Sequence, residues 1–325
     1  MAGHVRFSLA HFQSIVRYHE ALLRDRPRNA AFRRALARVI RPGARVLDVG
    51  SGSGLWAVVA ARLGARRVVA VEREPLLRPL IERLVAENGV ADRVEIVTRD
   101  FRRVELRREF DVVVSETVGS MAFEEDIVPI MLRARDRFLR RGGTLIPGAI
   151  VFRAAPVRLL RSLPDPPALL PGARSLAEVV SQIPRPLLLD EYELTAPAAE
   201  LDRVDLEGTA VPRTELGDVS TSWDVARADR IDGIAIWLSL RLAPRTWLET
   251  RGSAAWSVRL YPIERLRQRR GRLTFRLQSS PKREHWEVAL DGREGRQESH
   301  YGPEFAYGSI FAALRRGARA KGGAA

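Results

Sequence analysis

Short apolar runs alternate with longer amphipathic stretches along the first half of the chain. Four runs rich in β-branched residues predict strands that are covered on both faces, namely Val46–Val49, Val68–Val71, Val94–Val97 and Val112–Val114. The stretches between and after them predict helices, at Leu55–Leu63, Pro75–Asn88 and Ile127–Leu139. Because strands and helices alternate in this way, we expect an α/β fold with a doubly wound parallel sheet.

Helical periodicity also covers residues 14–40, where apolar residues such as Ile15, Leu22 and Leu36 recur at intervals of three or four. Pro27 lies inside this stretch. A proline in a helix interior removes a backbone hydrogen bond and clashes with the preceding turn. We therefore expect two N-terminal helices that are separated at this proline.

After Gly142 and Gly143 the helical pattern mostly ends and strand-like runs follow. They are Ile234–Leu242, Trp256–Leu260, Leu273–Gln278 and His285–Leu290. The C-terminal half of the first run alternates apolar and polar residues, which predicts a half-exposed antiparallel strand. The pattern predicts N-terminal helices and a sheet domain over residues 1–146, a β-rich domain over 147–318 and a flexible tail over 319–325.

The length, cysteine content and charge of the chain limit the kinds of site and partner that it is able to have. A chain of 325 residues is long enough for two domains with separate cores. The absence of cysteine excludes disulfides, thiolate zinc sites and cysteine nucleophiles. Lys and Arg number 54 against 40 Asp and Glu, a formal charge of +14 that permits contact with nucleic acid, membrane surfaces or acidic partners without establishing any of them. The first residues show no signal peptide and no run long enough to span a bilayer, so we expect a cytoplasmic protein.

A glycine-rich turn follows the first predicted strand. The stretch Asp48-Val49-Gly50-Ser51-Gly52-Ser53-Gly54 places three glycines where a strand gives way to a helix, so that the backbone is able to approach a ligand closely. The dinucleotide-binding pattern needs its third glycine one position later, where this chain has Leu55. The spacing is instead similar to that of class I S-adenosylmethionine-dependent methyltransferases. The alternative is an ordinary tight turn between a strand and a helix.

Acidic residues follow the next two strands. Glu72 ends the run that begins at Val68, where a carboxylate is able to accept hydrogen bonds from both ribose hydroxyls of a nucleoside cofactor. Asp100 and Phe101 follow the third strand and offer a carboxylate to an adenine amino group and an apolar surface to its ring. Three successive strand ends therefore predict a site for an adenosine-containing cofactor.

The residues after the fourth strand carry a closer resemblance. The stretch from Ser115 to Glu125 resembles the double-glutamate loop of the protein arginine methyltransferases, in which two glutamates nine positions apart bind the substrate guanidinium; Glu116 and Glu125 have that spacing. The stretch His19-Glu20-Ala21-Leu22-Leu23-Arg24-Asp25-Arg26-Pro27-Arg28 resembles the family's N-terminal helix, which covers the cofactor. The chain is identified as similar to a divergent, bacterial-type member of this family over residues 12–150.

The resemblance implies a Rossmann-like sheet, a barrel-like β domain and S-adenosylmethionine as the cofactor. It implies that Glu116 and Glu125 are catalytic and that the cofactor contacts a set of nine residues. These are His19, Arg28, Asp48, Gly50, Gly52, Gly54, Glu72, Asp100 and Phe101. It also implies a substrate with a guanidino group and a homodimer that uses an arm near residues 160–190. No metal is implied.

The chemistry of a guanidinium agrees with two carboxylates. Its charge is spread over three nitrogens, and two carboxylates are able to bind it bidentately, localise the charge and direct one nitrogen at a methyl donor. Other interpretations stay open at this stage. Glu116 is alternatively a surface carboxylate, Glu125 a charge at the start of a helix, and the 160–190 segment an apolar cluster within one subunit.

The chain departs from the family at three places. The paired aromatic residues before the cofactor-covering helix are absent, although His11 or Phe12 stands near that position. The family's Thr-His-Trp loop is best matched at Trp256, which is assigned to the substrate pocket; the stretch Glu284-His285-Trp286 is the weaker match. The two methionines of the family's active site correspond to Leu22 and Ile127.

These departures predict an altered acceptor, such as a free amino acid, a modified peptide or a guanidino metabolite. Three other functions remain as alternatives: methylation of a small molecule at another N, O or C atom, an RNA methyltransferase or RNA-binding protein, and a regulatory protein that binds the cofactor without turnover. The absence of an RNA-binding signature disfavours nucleic acid as a partner. The guanidino hypothesis requires an acidic pocket within a basic surface.

Overall fold

The computed structural model describes residues 8–160, 184–187, 189–208, 210, 212–225, 230–263, 271–280, 283–291 and 294–301. Contacts divide the chain into two compact units, neither of which is continuous in sequence. Unit 1 comprises Met1–Val151, Val204–Thr214 and Leu238–Trp256, and unit 2 comprises Phe152–Arg203, Glu215–Trp237 and Ser257–Ala325. The domain boundary at residue 146 stays a prediction, and the predicted tail and most of the predicted arm lie outside the described residues.

Five α-helices are formed within the described ranges, all in unit 1. They are α1 (Leu9–Arg24), α2 (Arg26–Val39), α3 (Leu55–Arg62), α4 (Arg78–Glu87) and α5 (Ile127–Arg137). The break between α1 and α2 falls at Asp25, whose carboxylate accepts the Arg28 N–H at 3.0 Å and caps α2. Pro27 lies in the first turn of α2, where a proline costs no hydrogen bond, so the break precedes the predicted position by two residues.

Short 3-10 turns connect several of these elements and precede others. They are Pro75–Leu77, Phe101–Arg103, Phe123–Glu125, Leu189–Glu191 and Thr250–Gly252. No helix within the described ranges is both long enough and apolar enough to cross a membrane.

The sheet of unit 1 is parallel and has five strands. They are β1 (Arg45–Val49), β2 (Arg67–Glu72), β3 (Val94–Thr98), β4 (Phe110–Ser115) and β5 (Leu139–Ile146), in the order β3-β2-β1-β4-β5. All four strand pairs are parallel, which confirms the predicted sheet. The order reverses direction at β1, between β2 and β4. In open α/β sheets the crevice outside the carboxyl ends of the strands at such a reversal holds the ligand.

Packing of unit 1 follows from its apolar strands. Leu47, Val69 and Val113 are fully buried, as expected for strands covered on both faces. The rings of Phe32 from α2 and Trp56 from α3 stack with centroids 4.9 Å apart. This contact holds α2 against α3 and sets the start of α2 near the glycine turn.

The later strands run from β6 to β16. They are β6 (Ala149–Leu159), β7 (Arg185–Leu187), β8 (Tyr192–Leu194), β9 (Ala199–Asp205), β10 (Gly217–Val225), β11 (Gly233–Ala243), β12 (Thr246–Glu249), β13 (Val258–Pro262), β14 (Gly271–Ser280), β15 (Arg283–Leu290) and β16 (Glu294–Tyr301). One sheet has the order β10-β14-β15-β16, and another has β7-β13-β11-β6-β8, with β12 paired to β11 and β9 to β6. The β-rich character predicted for the second half is confirmed.

Strand β11 differs from its prediction. It is buried along its length except at Arg241, which is partly buried, and even Ser239 is 1% exposed. The half-exposed prediction is wrong because residues on both faces of β11 are buried, so neither face of the strand meets water along its length. Trp256 also lies before β13 rather than within it, in a turn that belongs to unit 1.

Candidate active site

A cavity of about 560 Å³ opens at the carboxyl ends of β1 to β4, within unit 1. Its volume falls in the range of small-molecule sites. The walls are formed by α1, the glycine turn, the ends of β2, β3 and β4, and the residues before α5. The predicted site residues among its lining are His19, Arg28, Gly50, Gly52, Glu72, Asp100, Phe101, Glu116 and Glu125.

The glycine turn adopts left-handed backbone at all three glycines, with φ values of 68° at Gly50, 57° at Gly52 and 85° at Gly54. A Cβ on Gly52 would lie 2.7 Å from the His19 ring, so this glycine lets α1 close over the turn. Gly54 is not part of the cavity lining, and its assignment as a cofactor contact stays a prediction. Its Cβ would lie 2.9 Å from Ile81 of α4, so the third glycine serves the packing of helices.

Asp48 is also placed behind the cavity rather than in its wall. The side chain is fully buried and accepts the Ser51 hydroxyl at 2.7 Å, and the cavity lining does not include it. Burial raises the pKa of the Asp48 carboxyl to about 7, against the opposing hydrogen bonds from Ser51 and Ala57. Asp48 therefore shapes the glycine turn through Ser51, and its assignment as a cofactor contact stays a prediction.

Glu72 ends β2 and holds the turn from the other side. Its Oε2 accepts the Gly52 N–H at 2.8 Å, and its Oε1 accepts the Glu74 N–H at 2.8 Å. The side chain is only 8% exposed and lines the cavity. Each carboxylate oxygen keeps a second lone pair for a ligand hydroxyl. Glu72 thus presents its carboxylate at the cavity wall, and its contact with a ribose stays a prediction.

Asp100 and Phe101 lie at the end of β3 as predicted, but the Asp100 carboxylate already has a partner. Arg102 donates to Oδ2 at 2.6 Å, and this pairing lowers the pKa of Asp100 to about 2. Phe101 is buried and its ring meets Phe138 edge-on with centroids 5.7 Å apart. An adenine amino group would share this carboxylate with Arg102.

Helix α1 supplies His19 and one residue that sequence reasoning did not single out as a site residue, Tyr18. Burial lowers the pKa of His19, against the opposing charge of Glu72. Burial first, and then the charges of Glu125 and Glu116, raise the pKa of Tyr18 to about 12. Tyr18 is thus a neutral hydroxyl near both predicted catalytic carboxylates. Its place in a helical apolar pattern gave no signal of this role.

Arg28 and Glu116 form a buried ion pair between Nη2 and Oε2. Their side chains are 4% and 7% exposed. Arg28 also donates to Asn29 Oδ1 at 2.7 Å, and its guanidinium lies 5.4 Å from the centroid of the Trp56 ring. Burial raises the pKa of Glu116 to about 7 although the charge of Arg28 opposes this rise. The carboxylate predicted to bind a substrate guanidinium thus already binds one from its own chain.

The ion pair leaves two groups open. Among the described residues, Glu116 Oε1 accepts no hydrogen bond, and Arg28 Nε is buried without an acceptor. A buried donor without a partner is costly, which indicates that a ligand completes its hydrogen bonding. Both residues line the cavity, so both open groups lie at its wall.

Glu125 lies on the exposed 3-10 turn Phe123–Glu125, between two residues with left-handed backbone, Ala122 (φ 67°) and Asp126 (φ 59°). Burial raises its pKa, and the neighbouring Glu124 raises it further. Glu124 is exposed, but its carboxylate turns back onto the loop and accepts the Met121 N–H at 3.0 Å. The turn is thus folded around Glu124, and Glu125 is left free to face the cavity.

Trp256 is not part of the cavity lining, and its assignment to the substrate pocket stays a prediction. Its indole N–H donates to the Val118 carbonyl at 2.5 Å, and the side chain is 6% exposed. The same turn contributes Ser253, whose hydroxyl donates to Asp25, the cap of α2. Asp25 and Ser253 were not predicted as site residues, since they are 228 positions apart in sequence.

Other predicted residues fall away from the site or only partly in it. His11 lines the cavity with its Nε2 3.4 Å from Glu74, whereas Phe12 is 47% exposed and does not line it. Leu22 lines the cavity, and Ile127 is buried behind it. Within the described ranges, no group of three or more His, Asp or Glu side chains is arranged to hold a metal ion.

The charge of the cavity wall bears on the requirement for an acidic pocket. Seven carboxylates face five guanidinium groups, so the lining is slightly acidic in a chain of charge +14. The acids are Glu72, Glu74, Asp100, Glu116, Glu124, Glu125 and Asp126, and the arginines are Arg28, Arg73, Arg99, Arg102 and Arg133.

Comparisons with known proteins agree with this site. Residues 33–151 match the family model of ribosomal protein L11 methyltransferase (PrmA). The chain is 37% identical over 141 residues to the arginine N(omega)-methyltransferase of Streptomyces achromogenes subsp. streptozoticus, covering 42% of this chain and 39% of that protein. It is 34% identical over 155 residues to the probable protein arginine N-methyltransferase 6 of Arabidopsis thaliana, covering 46% of this chain and 35% of that protein. The matches therefore span about two fifths of these relatives' lengths.

Two solved structures share the fold over most of the chain. The PRMT1 enzyme–prozyme complex of Trypanosoma brucei, solved with AdoHcy, matches with a TM-score of 0.74 and 18% identity over 87% of this chain and 96% of that chain. Protein arginine methyltransferase 10 of Arabidopsis thaliana matches with a TM-score of 0.70 and 19% identity over 89% and 98%. The resemblance to arginine methyltransferases and the predicted two-part fold are confirmed.

Proposed function

We propose that the protein is an S-adenosylmethionine-dependent methyltransferase that methylates a guanidino nitrogen of arginine or of a related peptide or metabolite. The observation that carries the proposal is Glu116: a buried carboxylate at the carboxyl end of β4, in the wall of the cavity, that already binds a guanidinium. The match of residues 33–151 to a methyltransferase family supports the reaction class.

The residues of the cavity fit the proposed cofactor. Gly50 and Gly52 line the cavity with bare backbone, Glu72 presents two oxygens to ribose hydroxyls, and Phe101 offers an apolar surface to adenine. The open Nε–H of Arg28 suits the cofactor's carboxylate. When bound, S-adenosylmethionine supplies an electrophilic methyl group on a sulfonium.

The acceptor is held by the carboxylates. Glu116 Oε1 accepts one N–H of the guanidinium, while Glu125 approaches from the turn and accepts another. The paired carboxylates would draw the positive charge toward two nitrogens and leave the lone pair of the third available for in-line attack on the methyl carbon. As the N–C bond formed, the S–C bond would break and S-adenosylhomocysteine would leave, and the proton of the methylated nitrogen would pass to a carboxylate of the pair. The cavity excludes much of the water, which strengthens these contacts. The carboxylates, the cofactor site and the slightly acidic lining thus support transfer to a cation.

The names of the relatives extend the proposal to the acceptor. One relative is named for arginine and the other for protein arginine, so both sizes of acceptor occur among similar proteins. The aromatic run of the family is missing, and His11 and Tyr18 line the cavity on α1 instead. We therefore favour a small acceptor, free arginine or a guanidino metabolite, over a protein tail.

The experiment is a methyl-transfer assay with the purified full chain, S-adenosylmethionine labelled in its methyl group, and a panel of free arginine, an arginine-containing peptide, other guanidino compounds, primary amines and RNA. We expect label on a guanidino compound, located by mass spectrometry of the product. Glu116→Gln should abolish transfer while cofactor binding, measured by calorimetry, is retained. Glu82→Gln, a change to an exposed carboxylate on α4 that pairs with Arg78, is the matched control and should leave transfer unchanged.

Label on amines or on RNA but not on guanidino compounds would replace the proposal with one of the alternatives. Cofactor binding without transfer to any acceptor would point to a regulatory protein. A cytoplasmic location and a homodimer stay predictions, and sedimentation of the purified chain would test the second.

A further inference from the structure

The turn at residues 250–256 is tied to the start of α2 by one buried carboxylate. Asp25 Oδ1 accepts the Arg28 N–H at 3.0 Å, while its Oδ2 accepts the Ser253 hydroxyl and the Ala255 N–H, the latter at 2.8 Å. Asp25 is 3% exposed and Ser253 is 7% exposed. All of these residues belong to unit 1.

The same turn reaches the double-glutamate loop through Trp256. Its indole N–H donates to the carbonyl of Val118, which lies two residues after Glu116. Val118 is itself 3% exposed. The backbone just after Glu116 is thus hydrogen-bonded to the side chain of Trp256, which lies outside the loop and is buried.

The turn is fixed to the core as well as to its two targets. The Thr250 hydroxyl accepts the Leu238 N–H at 3.0 Å, and the Ser253 N–H donates to the Thr250 carbonyl at 3.0 Å. Thr250 is 1% exposed. These bonds tie the turn to the core through Thr250, Ser253 and Trp256, whose side chains are buried, so we expect the turn to act as a rigid support.

None of Asp25, Ser253 and Trp256 lines the cavity. We propose that they form a chain of positioning residues that sets Glu116 from two directions. One direction runs from Asp25 through the first turn of α2 to Arg28, whose Nη2 pairs with Glu116. The other runs from Ser253 through Trp256 to the backbone at Val118. This inference rests on the proposed function, since it gives a role in methyl transfer to groups that do not touch the reactants.

The physical reason is the geometric tolerance of the reaction. Transfer needs the acceptor nitrogen in line with the methyl group, and a small displacement of a group that positions the acceptor costs a large factor in rate. Loss of the support should therefore lower kcat more than it weakens cofactor binding. The hydrogen bonds to Asp25 involve a charged acceptor and are the strong members of the chain.

The test compares three variants of buried hydroxyls in unit 1. Ser253→Ala removes the bond to Asp25, Ser253→Thr keeps a hydroxyl at that place, and Thr246→Val removes a buried hydroxyl that has no hydrogen-bond partner among the described residues. We expect kcat to fall about tenfold in Ser253→Ala, with an unchanged Kd for S-adenosylmethionine and partial recovery in Ser253→Thr. Thr246→Val should keep the wild-type kcat.

A double variant tests whether the residues act as one unit. Asp25→Asn weakens the acceptor of both bonds, so we expect the double variant Asp25→Asn/Ser253→Ala to be no slower than Asp25→Asn alone. If the two losses of kcat multiplied in the double variant, the residues would act independently, and this result would overturn the proposed chain of positioning residues. So would a loss of kcat in Ser253→Ala that Thr246→Val reproduces.

A structural readout separates this proposal from the proposed function. Hydrogen exchange of the Trp256 indole N–H, assigned by its disappearance in Trp256→Phe, should quicken several-fold in Ser253→Ala and stay at the wild-type rate in Thr246→Val. If the wild-type protein methylates no guanidino compound, the proposed function fails while this exchange still tests the support. If exchange is unchanged in Ser253→Ala, the support fails whatever the protein methylates.

Discussion

The two glutamates predicted to act together occupy contrasting regions of one loop. Glu116 directly follows β4, is 7% exposed at its side chain and is paired with Arg28. Glu125 lies on an exposed turn bounded by left-handed backbone at Ala122 and Asp126. The sequence motif gives the two glutamates the same predicted role, but their surroundings in the structure differ. Glu116 is therefore held in one position, whereas we expect Glu125 to be able to adjust its position. We call Glu116 the anchor and Glu125 the arm.

The difference should appear first in activity. We expect Glu116→Gln to lower kcat/KM at least ~1,000-fold, about 4 kcal/mol of transition-state stabilisation, because the fixed carboxylate sets the guanidinium. Glu125→Gln should cost ~30-fold, since the turn is able to readjust and Gln still accepts one hydrogen bond. The measurement is methyl transfer at several acceptor concentrations. Equal losses in the two variants would contradict the division into anchor and arm.

A second difference concerns stability and pH. Burial raises the pKa of Glu116 to about 7 from an unfolded value near 4.5, so the folded state favours the protonated form. This stabilisation is fully present below pH 4.5 and is lost as the pH rises through 7, by about 3 kcal/mol in total. Urea unfolding at pH 5 and pH 8 should show that loss in the wild type and in Glu125→Gln. Asp48, whose pKa burial also raises to about 7, adds a loss of its own over the same pH range, so Glu116→Gln should show only that remainder. An undiminished pH dependence in Glu116→Gln would contradict the assignment.

The third expectation is the pH profile of turnover. Glu116 must be ionised to bind the acceptor, so kcat/KM should fall about tenfold per pH unit below pH 7. Because kcat/KM reports the free enzyme, the profile of kcat itself should break at lower pH, where bound cations hold Glu116 ionised. Initial rates from pH 5.5 to 9 measure both. A flat kcat/KM below pH 7 would show that another group, not Glu116, controls binding of the acceptor.

The smallest effect should come from the turn alone. A Cβ on Gly119 would lie 2.1 Å from Glu124 Oε2, so Gly119→Ala displaces Glu124 from the Met121 N–H. We expect a loss of about 1 kcal/mol in unfolding free energy and a kcat lowered a few-fold through Glu125. Gly252→Ala, where nothing lies within 4 Å of the new Cβ, is the control. If Gly119→Ala changed the pH dependence assigned to Glu116, the two regions would not be separable.

Much of the sheet and cofactor site could be predicted from sequence because both depend on local patterns. Runs such as Val112–Val114 are buried on both faces, and their burial is visible in composition alone. The glycine turn and Glu72 sit at strand ends, so a correct strand prediction places them automatically. The break near Pro27 was displaced to Asp25 because a capping residue, not the proline, ends the helix.

The rest depends on contacts between distant residues. Nothing in the sequence pairs Arg28 with Glu116 or Asp25 with Ser253, because hydrogen bonds across 88 and 228 positions leave no periodic signal. The bond from Trp256 to the Val118 carbonyl is also invisible in sequence, since a motif reports position and not the direction of a side chain. Likewise, the alternation in β11 predicts exposure only if one face of the strand meets water, and both faces are covered by residues distant in sequence.

The separation of Asp25 from Ser253 also has a consequence for the order of events during synthesis. At roughly 5–20 residues per second, the ribosome needs on the order of 10–50 s to add the 228 residues between the two ends of that hydrogen bond. Until then the first helices and the parallel sheet exist without the turn that supports Glu116. The nascent chain thus carries a nearly finished cofactor fold long before it carries a finished active site.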